Sequence, residues 1–337
     1  MSIRVGINGF GRTGRAAFRA WWENKRDDFE IVAINRGPVN VRTHLLRYDS
    51  DYGRFPAEII DGDDYFTVDN HKVRVFNSNE TAEIPWAEEN VDLVIESTGQ
   101  FKTADDARVH LGKSVKKVII SAPAKNEDWT VIMGINHNEY SPTNHHVISA
   151  GSCTTNCVVL AVKVLHDAFT INHGFMTTVH AYTGDQNLVD NSHKDLRRAR
   201  AAALNIVPTS SGASKAVGQV IPDLAGKFDG TALRVPTPTV SLVDLTTSLK
   251  DTPTIKDVNE VFEAAAESSL APYLAYEKDE LVSTDFKGNL ASCIFDAPST
   301  MVVDSHLVKT LEWYDNEWGY SCRLTDVVSL IAERGLE

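Results

Sequence analysis

The sequence predicts an α/β protein in two parts. Residues 1–150 read as a Rossmann-type, doubly wound parallel sheet, and residues 151–317 as an α+β part with a mixed, largely antiparallel sheet. Three observations predict this. An N-terminal strand pattern, residues 3–7, runs into the glycine-rich turn Asn8-Gly-Phe-Gly-Arg-Thr-Gly14 and then a helical stretch with Ala17, Phe18, Trp21 and Trp22 apolar. Further apolar strands at residues 30–34, 91–96, 117–121 and 147–149 alternate with helical stretches such as residues 103–111, which Thr103 caps. Such alternation implies a parallel sheet with helices on both faces. After Cys153 the pattern changes: residues 175–182, 232–235, 239–245 and 301–304 alternate like strands with one face in water, and helical periodicity returns at residues 255–267 and 318–334. The last stretch carries Leu324, Val327, Val328 and Ile331 on one stripe, so residues 318–337 are expected to pack back on the first part.

The bulk numbers bound the function. The chain has 337 residues, 42% hydrophobic and 23% charged, which is globular composition with room for two domains. A formal charge of −13 argues against wholesale binding to nucleic acid or an acidic membrane surface. No run reads as a bilayer span or a signal peptide, and four Cys do not make a disulfide framework or a metal site. A reducing cytoplasm fits.

The glycine turn places Gly9, Gly11 and Gly14 as G-x-G-x-x-G between strand and helix, the context in which that pattern binds a dinucleotide pyrophosphate. The second strand ends in Asn35-Arg-Gly-Pro38, with Arg36 where an acid would hold the ribose 2′-hydroxyl of NAD. An Arg there suits the 2′-phosphate of NADP. Ser97 and Ser121 lie at strand ends, where an open α/β sheet binds its ligand.

The stretch Ser149-Ala-Gly-Ser-Cys-Thr-Thr-Asn-Cys157 precedes a long apolar run at helical spacing. Cys153 should therefore lie at a strand-to-helix turn, where unpaired N–H groups and the helix dipole favour a thiolate nucleophile. The alternative is a small buried hydrophobe. A thiol of pKa about 8.5 is only a few per cent ionised at pH 7; an imidazolium partner would lower it to about 6.

Asn8-Gly-Phe-Gly-Arg, Ser152-Cys-Thr-Thr-Asn-Cys, His180-Ala-Tyr-Thr-Gly-Asp-Gln, Asp195-Leu-Arg-Arg-Ala-Arg-Ala, Leu233-Arg-Val-Pro-Thr-Pro and Trp313-Tyr-Asp-Asn-Glu-Trp-Gly-Tyr320 stand in this order. Together they resemble the phosphorylating glyceraldehyde-3-phosphate dehydrogenases, end to end. The resemblance implies a homotetramer that oxidises a phosphorylated aldehyde to an acyl phosphate with NAD or NADP and inorganic phosphate. It implies Cys153 as nucleophile, passing through a thioester, and His180 as base. It places Thr183, Asp185 and Arg234 about the substrate phosphate, and Ser152, Thr154, Ser211 and Gly212, with Arg198 nearby, about inorganic phosphate. It assigns dinucleotide contacts to the turn Gly9, Phe10, Gly11, Arg12, Thr13 and Gly14, and to Asn35, Arg36, Ser97, Ser121, Asn316 and Tyr320.

Four positions depart from the family pattern. Arg36 replaces an acid, Asn191-Ser192 stand where NAD-strict members carry Leu-Pro, and Ser211 replaces a Thr. The first two changes favour NADP acceptance, with Ser192 as a further contact. Two other readings are an erythrose-4-phosphate dehydrogenase, whose members tend to lack the Tyr-Thr-Gly-Asp stretch present here, and a dinucleotide-binding protein with an interaction role. A dead site would be expected to lose Cys153, His180 or Arg234, and all three are present.

Overall fold

The computed structural model describes residues 2–337. It divides into two compact units: one from the chain up to Val131 with His137–Gly151 and Ser321–Glu337, the other from Ile132–Asn136 and Ser152–Tyr320.

The first unit contains β1 (Ile3–Asn8), β2 (Phe29–Asn35), β3 (Tyr48–Asp49), β4 (Gly53–Arg54), β5 (Ile59–Asp61), β6 (Tyr65–Val68), β7 (His71–Phe76), β8 (Leu93–Glu96), β9 (Lys117–Ile120), β10 (Trp129–Thr130) and β11 (Val147–Ser149). Its helices are α1 (Arg12–Glu23), α2 (Val39–Arg47) and the short α3 (Ala104–Ala107). The sheet order is β10-β11-β9-β8-β1-β2-β7-β6-β5, parallel from β10 to β7 and antiparallel at β6 and β5. Val5, Ile7, Ile31, Leu93, Ile95 and Val118 are wholly buried, as expected of strands covered on both faces. The chain runs from β1 to β2 on one side and returns to β8 on the other, so the order reverses beside β1. At such a reversal the loops beyond the strand ends part and leave a crevice.

The stretch expected as one helix at residues 103–111 is shorter. Thr103 caps α3 by accepting from the Asp106 N–H at 3.1 Å, but the chain then tightens into a 3₁₀ turn, Arg108–His110, that buries His110. The edge strands β5 to β7 left no clear sequence signal, because charged and turn residues interrupt them. Ser321–Glu337 supply this unit with the buried Leu324, Val327, Val328 and Ile331. Arg26 pairs with Asp326, the Tyr140 hydroxyl donates to the Gly335 carbonyl at 3.0 Å, and Arg334 donates to Asn138 Oδ1 at 2.8 Å.

The second unit contains β12 (Ile171–Ala181), β13 (Val207–Ser210), β14 (Phe228–Val235), β15 (Ser241–Leu249), β16 (Leu274–Glu277), β17 (Cys293–Asp296), β18 (Met301–Val303) and β19 (Leu307–Tyr314), with α4 (Cys153–Phe169), α5 (Ala213–Val220), α6 (Ile255–Ala266) and the start of α7 (Trp318–Arg334). The order is β13-β14-β12-β15-β19-β17-β16, with β18 beside β19. Only β12–β14 and β16–β17 pair in parallel. Helix α4 is apolar almost all round, with Cys157, Val158, Val159, Leu160, Ala161 and Val162 inaccessible, so it forms the centre of this unit's core.

Candidate active site

Cys153 is the first residue of α4. Ser152 is the N-cap: its Oγ accepts from the Thr155 N–H at 3.0 Å. No acidic residue lies in the first turn, so the positive end of the helix is not neutralised there. The half-buried Cys153 Sγ lies 3.5 Å from His180 Nε2. His180 is near the end of β12, and its register partner on parallel β14 is Arg234. Adjacent strands thus bring imidazole and guanidinium to one face beside the thiol.

This pairing changes the expected electrostatics. His180 Nδ1 lies 2.7 Å from the Ala181 carbonyl, and Nε2 is the nitrogen that faces Sγ. Arg234 Nη1 lies 2.8 Å from Nδ1 and donates to the same carbonyl at 3.0 Å. Burial, reinforced by the Arg234 charge, pushes His180 down to about 3. The imidazolium expected beside Cys153 is therefore replaced by a neutral imidazole. Burial pushes the thiol up, while Arg234, the Thr154 hydroxyl and the N–H groups of Thr154 and Cys153 oppose it. The strong thiol acidification expected from an imidazolium partner does not hold here.

The anion-binding candidates separate into two groups. Arg234 forms no ion pair and its buried Nε has no partner, so an anion would complete its bonding. Ser211 and the exposed Gly212 open α5, which has no side-chain cap and no acid in its first turn. Thr183 is half-buried after β12. Others are already engaged. Arg198 pairs with Asp185, lies 3.6 Å from Asp195, and donates to Thr209 Oγ1 at 2.9 Å. Asp185 thus holds Arg198, and a carboxylate would in any case repel a phosphate. The Thr154 side chain turns inward, 2.9 Å from the Tyr314 hydroxyl, which also lies 2.7 Å from Thr178 Oγ1. Tyr314 was missed as a support, although it lies within a quoted segment, because sequence does not give side-chain direction. Asn316 is buried, its Oδ1 accepting from Ser241 Oγ at 2.9 Å, and Tyr320 is buried too. Ser192 is exposed on the segment after β12.

In the first unit the residues fit a dinucleotide. Gly9 has φ +91°, and a Cβ there would lie 2.7 Å from the Thr98 N. A Cβ on Gly14 would lie 2.1 Å from the Gly9 carbonyl, whereas Gly11 faces open space and leaves α1 without a side-chain cap. A pyrophosphate can therefore approach the N–H groups of the first turn. Thr13 is half-buried in that turn. Ser97 Oγ donates to the Gly9 carbonyl at 2.6 Å, and the Ser121 N–H donates to the Glu96 carbonyl at 3.0 Å. Three side chains expected at the ligand are turned elsewhere. The Phe10 ring is buried against Phe18 and Phe66. Arg12 is drawn onto Asp49 and Asp51. Asn35 is buried and bonded to Asn8 and Ser78. Arg36, at φ +114°, has no hydrogen bond or ion pair to its guanidinium among the described residues.

Two family models match the chain: "Glyceraldehyde 3-phosphate dehydrogenase, NAD binding domain" over residues 3–104 and "Glyceraldehyde 3-phosphate dehydrogenase, C-terminal domain" over residues 152–316. The chain belongs to the glyceraldehyde-3-phosphate dehydrogenase family. It is 51% identical to the glyceraldehyde-3-phosphate dehydrogenase of Geobacillus stearothermophilus over 337 residues, covering 100% of both chains. With that of Streptomyces coelicolor it shares 52% identity over 99% of this chain and 100% of the relative, and with glyceraldehyde-3-phosphate dehydrogenase 2 of Bacillus subtilis 48% over 99% and 98%. Family membership makes the chain an oxidoreductase with an NAD(P)-binding domain, which the glycine turn fits on geometry alone. No helix among the described residues is long and apolar enough to cross a membrane.

Proposed function

We propose that the chain oxidises and phosphorylates glyceraldehyde 3-phosphate, with Cys153 as nucleophile. The observation that carries this reading is the Cys153 Sγ at the start of α4, 3.5 Å from His180 Nε2, in a ring that burial and the Arg234 charge keep neutral. His180 Nε2 takes the thiol proton as Sγ attacks the aldehyde carbon and returns it to the carbonyl oxygen, giving a hemithioacetal. Arg234 and the helix N–H groups stabilise negative charge on sulfur and then on oxygen. His180 also accepts the hydroxyl proton as the carbon loses hydride, leaving a thioester on Cys153. The bound dinucleotide supplies the hydride acceptor. Inorganic phosphate, held by Ser211, Gly212 and Ser152 with Arg198 behind, attacks the thioester and releases the acyl phosphate. The test is Cys153→Ser: it should keep coenzyme binding and lose acyl-phosphate formation, and iodoacetamide should inactivate the wild type at one equivalent per chain. Full activity after stoichiometric labelling of Cys153 would sink the reading.

NADP is used at least as well as NAD. Arg36, whose guanidinium has no partner among the described residues, supports this, and so does the absence of a carboxylate at Asn35, Arg36 or Gly37. The chain acts as a cytoplasmic homotetramer. Leu188, Val189, Leu196, Leu204 and Ile206 are each at least 67% exposed, and an apolar surface of that extent supports burial between subunits. Ser192, on the same segment, then contributes to a neighbouring coenzyme site. Sedimentation velocity tests the assembly; a monomer at micromolar concentration overturns it.

A further inference from the structure

We infer that Glu96 is a positioning residue for the dinucleotide site, acting through Asn8 on one side and Thr98 on the other. Glu96 is the last residue of β8 and is 2% exposed. Its Oε2 accepts from Asn8 Nδ2 at 2.6 Å and from His110 Nε2 at 3.0 Å. Its Oε1 accepts from the Thr98 N–H at 2.8 Å and from Thr98 Oγ1 at 2.5 Å.

The surrounding groups leave no freedom in these roles. Trp86 Nε1 can only donate, and it lies 3.2 Å from His110 Nδ1. That nitrogen therefore accepts, and Nε2 carries the hydrogen that goes to Glu96. Because Asn8 spends its amide nitrogen on Glu96, its Oδ1 faces Asn35 Nδ2 at 2.8 Å. Asn35 Oδ1 in turn accepts from the Ser78 N–H at 3.0 Å. One chain of side chains thus crosses the carboxyl ends of β8, β1 and β2.

Four donors converge on Glu96, and only a carboxylate accepts on both oxygens. The two turns it ties together are those that grip Gly9. The Gly9 N–H donates to the Asn35 carbonyl at 3.1 Å, its own carbonyl accepts from Ser97 Oγ, and its Cα packs on Thr98. A buried network of this kind acts as a unit, so one wrong donor is felt at both ends.

Glu96→Gln turns an amide toward two donors. It should weaken NAD and NADP at least tenfold and equally, by calorimetric titration of the coenzyme-free protein. The iodoacetamide rate at Cys153 without coenzyme should not change. The double substitution Asn8→Asp with Glu96→Gln moves the carboxylate one residue along the chain. Asn8 Nδ2 lies 3.5 Å from His110 Nε2, so an acid at position 8 can take up both the His110 and the Gln hydrogens. It should recover most of the affinity, which a bulk stability effect would not predict. Thr98→Val, which keeps the carboxylate and removes one donor, should weaken both coenzymes several-fold. Wild-type affinity in a folded Glu96→Gln or Thr98→Val chain, or no recovery in the double variant, overturns the inference. The inference rests on dinucleotide binding by the chain, which the wild-type titration checks separately.

Discussion

A guanidinium 2.8 Å from one nitrogen of an imidazole makes a second positive charge on that ring costly. In the proposed reaction the charge that favours a thiolate sits on Arg234, and His180 is left to move protons. The iodoacetamide rate at Cys153, followed against pH, should therefore shift to higher pH in Arg234→Gln and shift less in His180→Asn. The reverse order would restore the imidazolium pair. A second residue has an unusual proton. Glu312 points inward from β19, fully buried, and neither carboxyl oxygen has a hydrogen-bond partner; the Thr310 hydroxyl approaches without completing one. Burial pushes Glu312 up to about 8. The fold keeps this proton when the unfolded chain has lost it, so the stabilisation is full below about pH 4.3, erodes as pH rises, and is gone above pH 8. Glu312→Gln should gain stability over the wild type by about 1.4 kcal/mol per pH unit between those limits. Parallel melting curves of the two chains from pH 5 to 9 would refute this. Neither Glu312 nor the Arg234–His180 contact was visible in sequence, because both depend on which face of a strand meets which neighbour.

At the scale of single elements, the proposed choice of coenzyme rests on the turn from β2 to α2. Arg36 follows β2 in left-handed backbone, Arg42 Nε donates to its carbonyl at 2.5 Å, and the Gly37 N–H donates to Asn77 Oδ1 at 2.9 Å. Two guanidinium groups and an amide line a turn without a carboxylate. Arg36→Ala should weaken NADP by about tenfold or more and leave NAD nearly unchanged, since one charge-assisted bond is about 1.5–3 kcal/mol. Equal kcat/KM ratios for the two coenzymes in wild type and variant would show that Arg36 does not touch the ribose. Elements with strong local periodicity were legible: α7 has the bounds its spacing implies, and Cys153 starts α4 at the strand-to-helix turn expected of it. The backbone turns at residues 9–14 and 152–153 were legible for the same reason. The directions of the Phe10, Arg12 and Thr154 side chains were not. Each residue lies in a matching segment, but its side chain is claimed by partners far along the chain: Phe66, Asp49 and Asp51, and Tyr314.

At the scale of the molecule, the first unit is assembled from distant pieces of chain. Leu324, Val327, Val328 and Ile331 are each at most 1% exposed, and burial of four such side chains contributes on the order of 10 kcal/mol, similar to the whole stability of a domain. A chain ended after Tyr320 should therefore lose coenzyme binding in calorimetric titration; retained wild-type affinity would mean that Ser321–Glu337 only decorate the unit. The same discontinuity orders events during synthesis. Residues 152–320 of the second unit are made in one uninterrupted stretch, whereas the coenzyme-binding unit waits, with an uncovered apolar surface, until residues 321–337 have left the ribosome. For most of its synthesis the chain therefore carries its uncovered apolar surface on the half that was translated first.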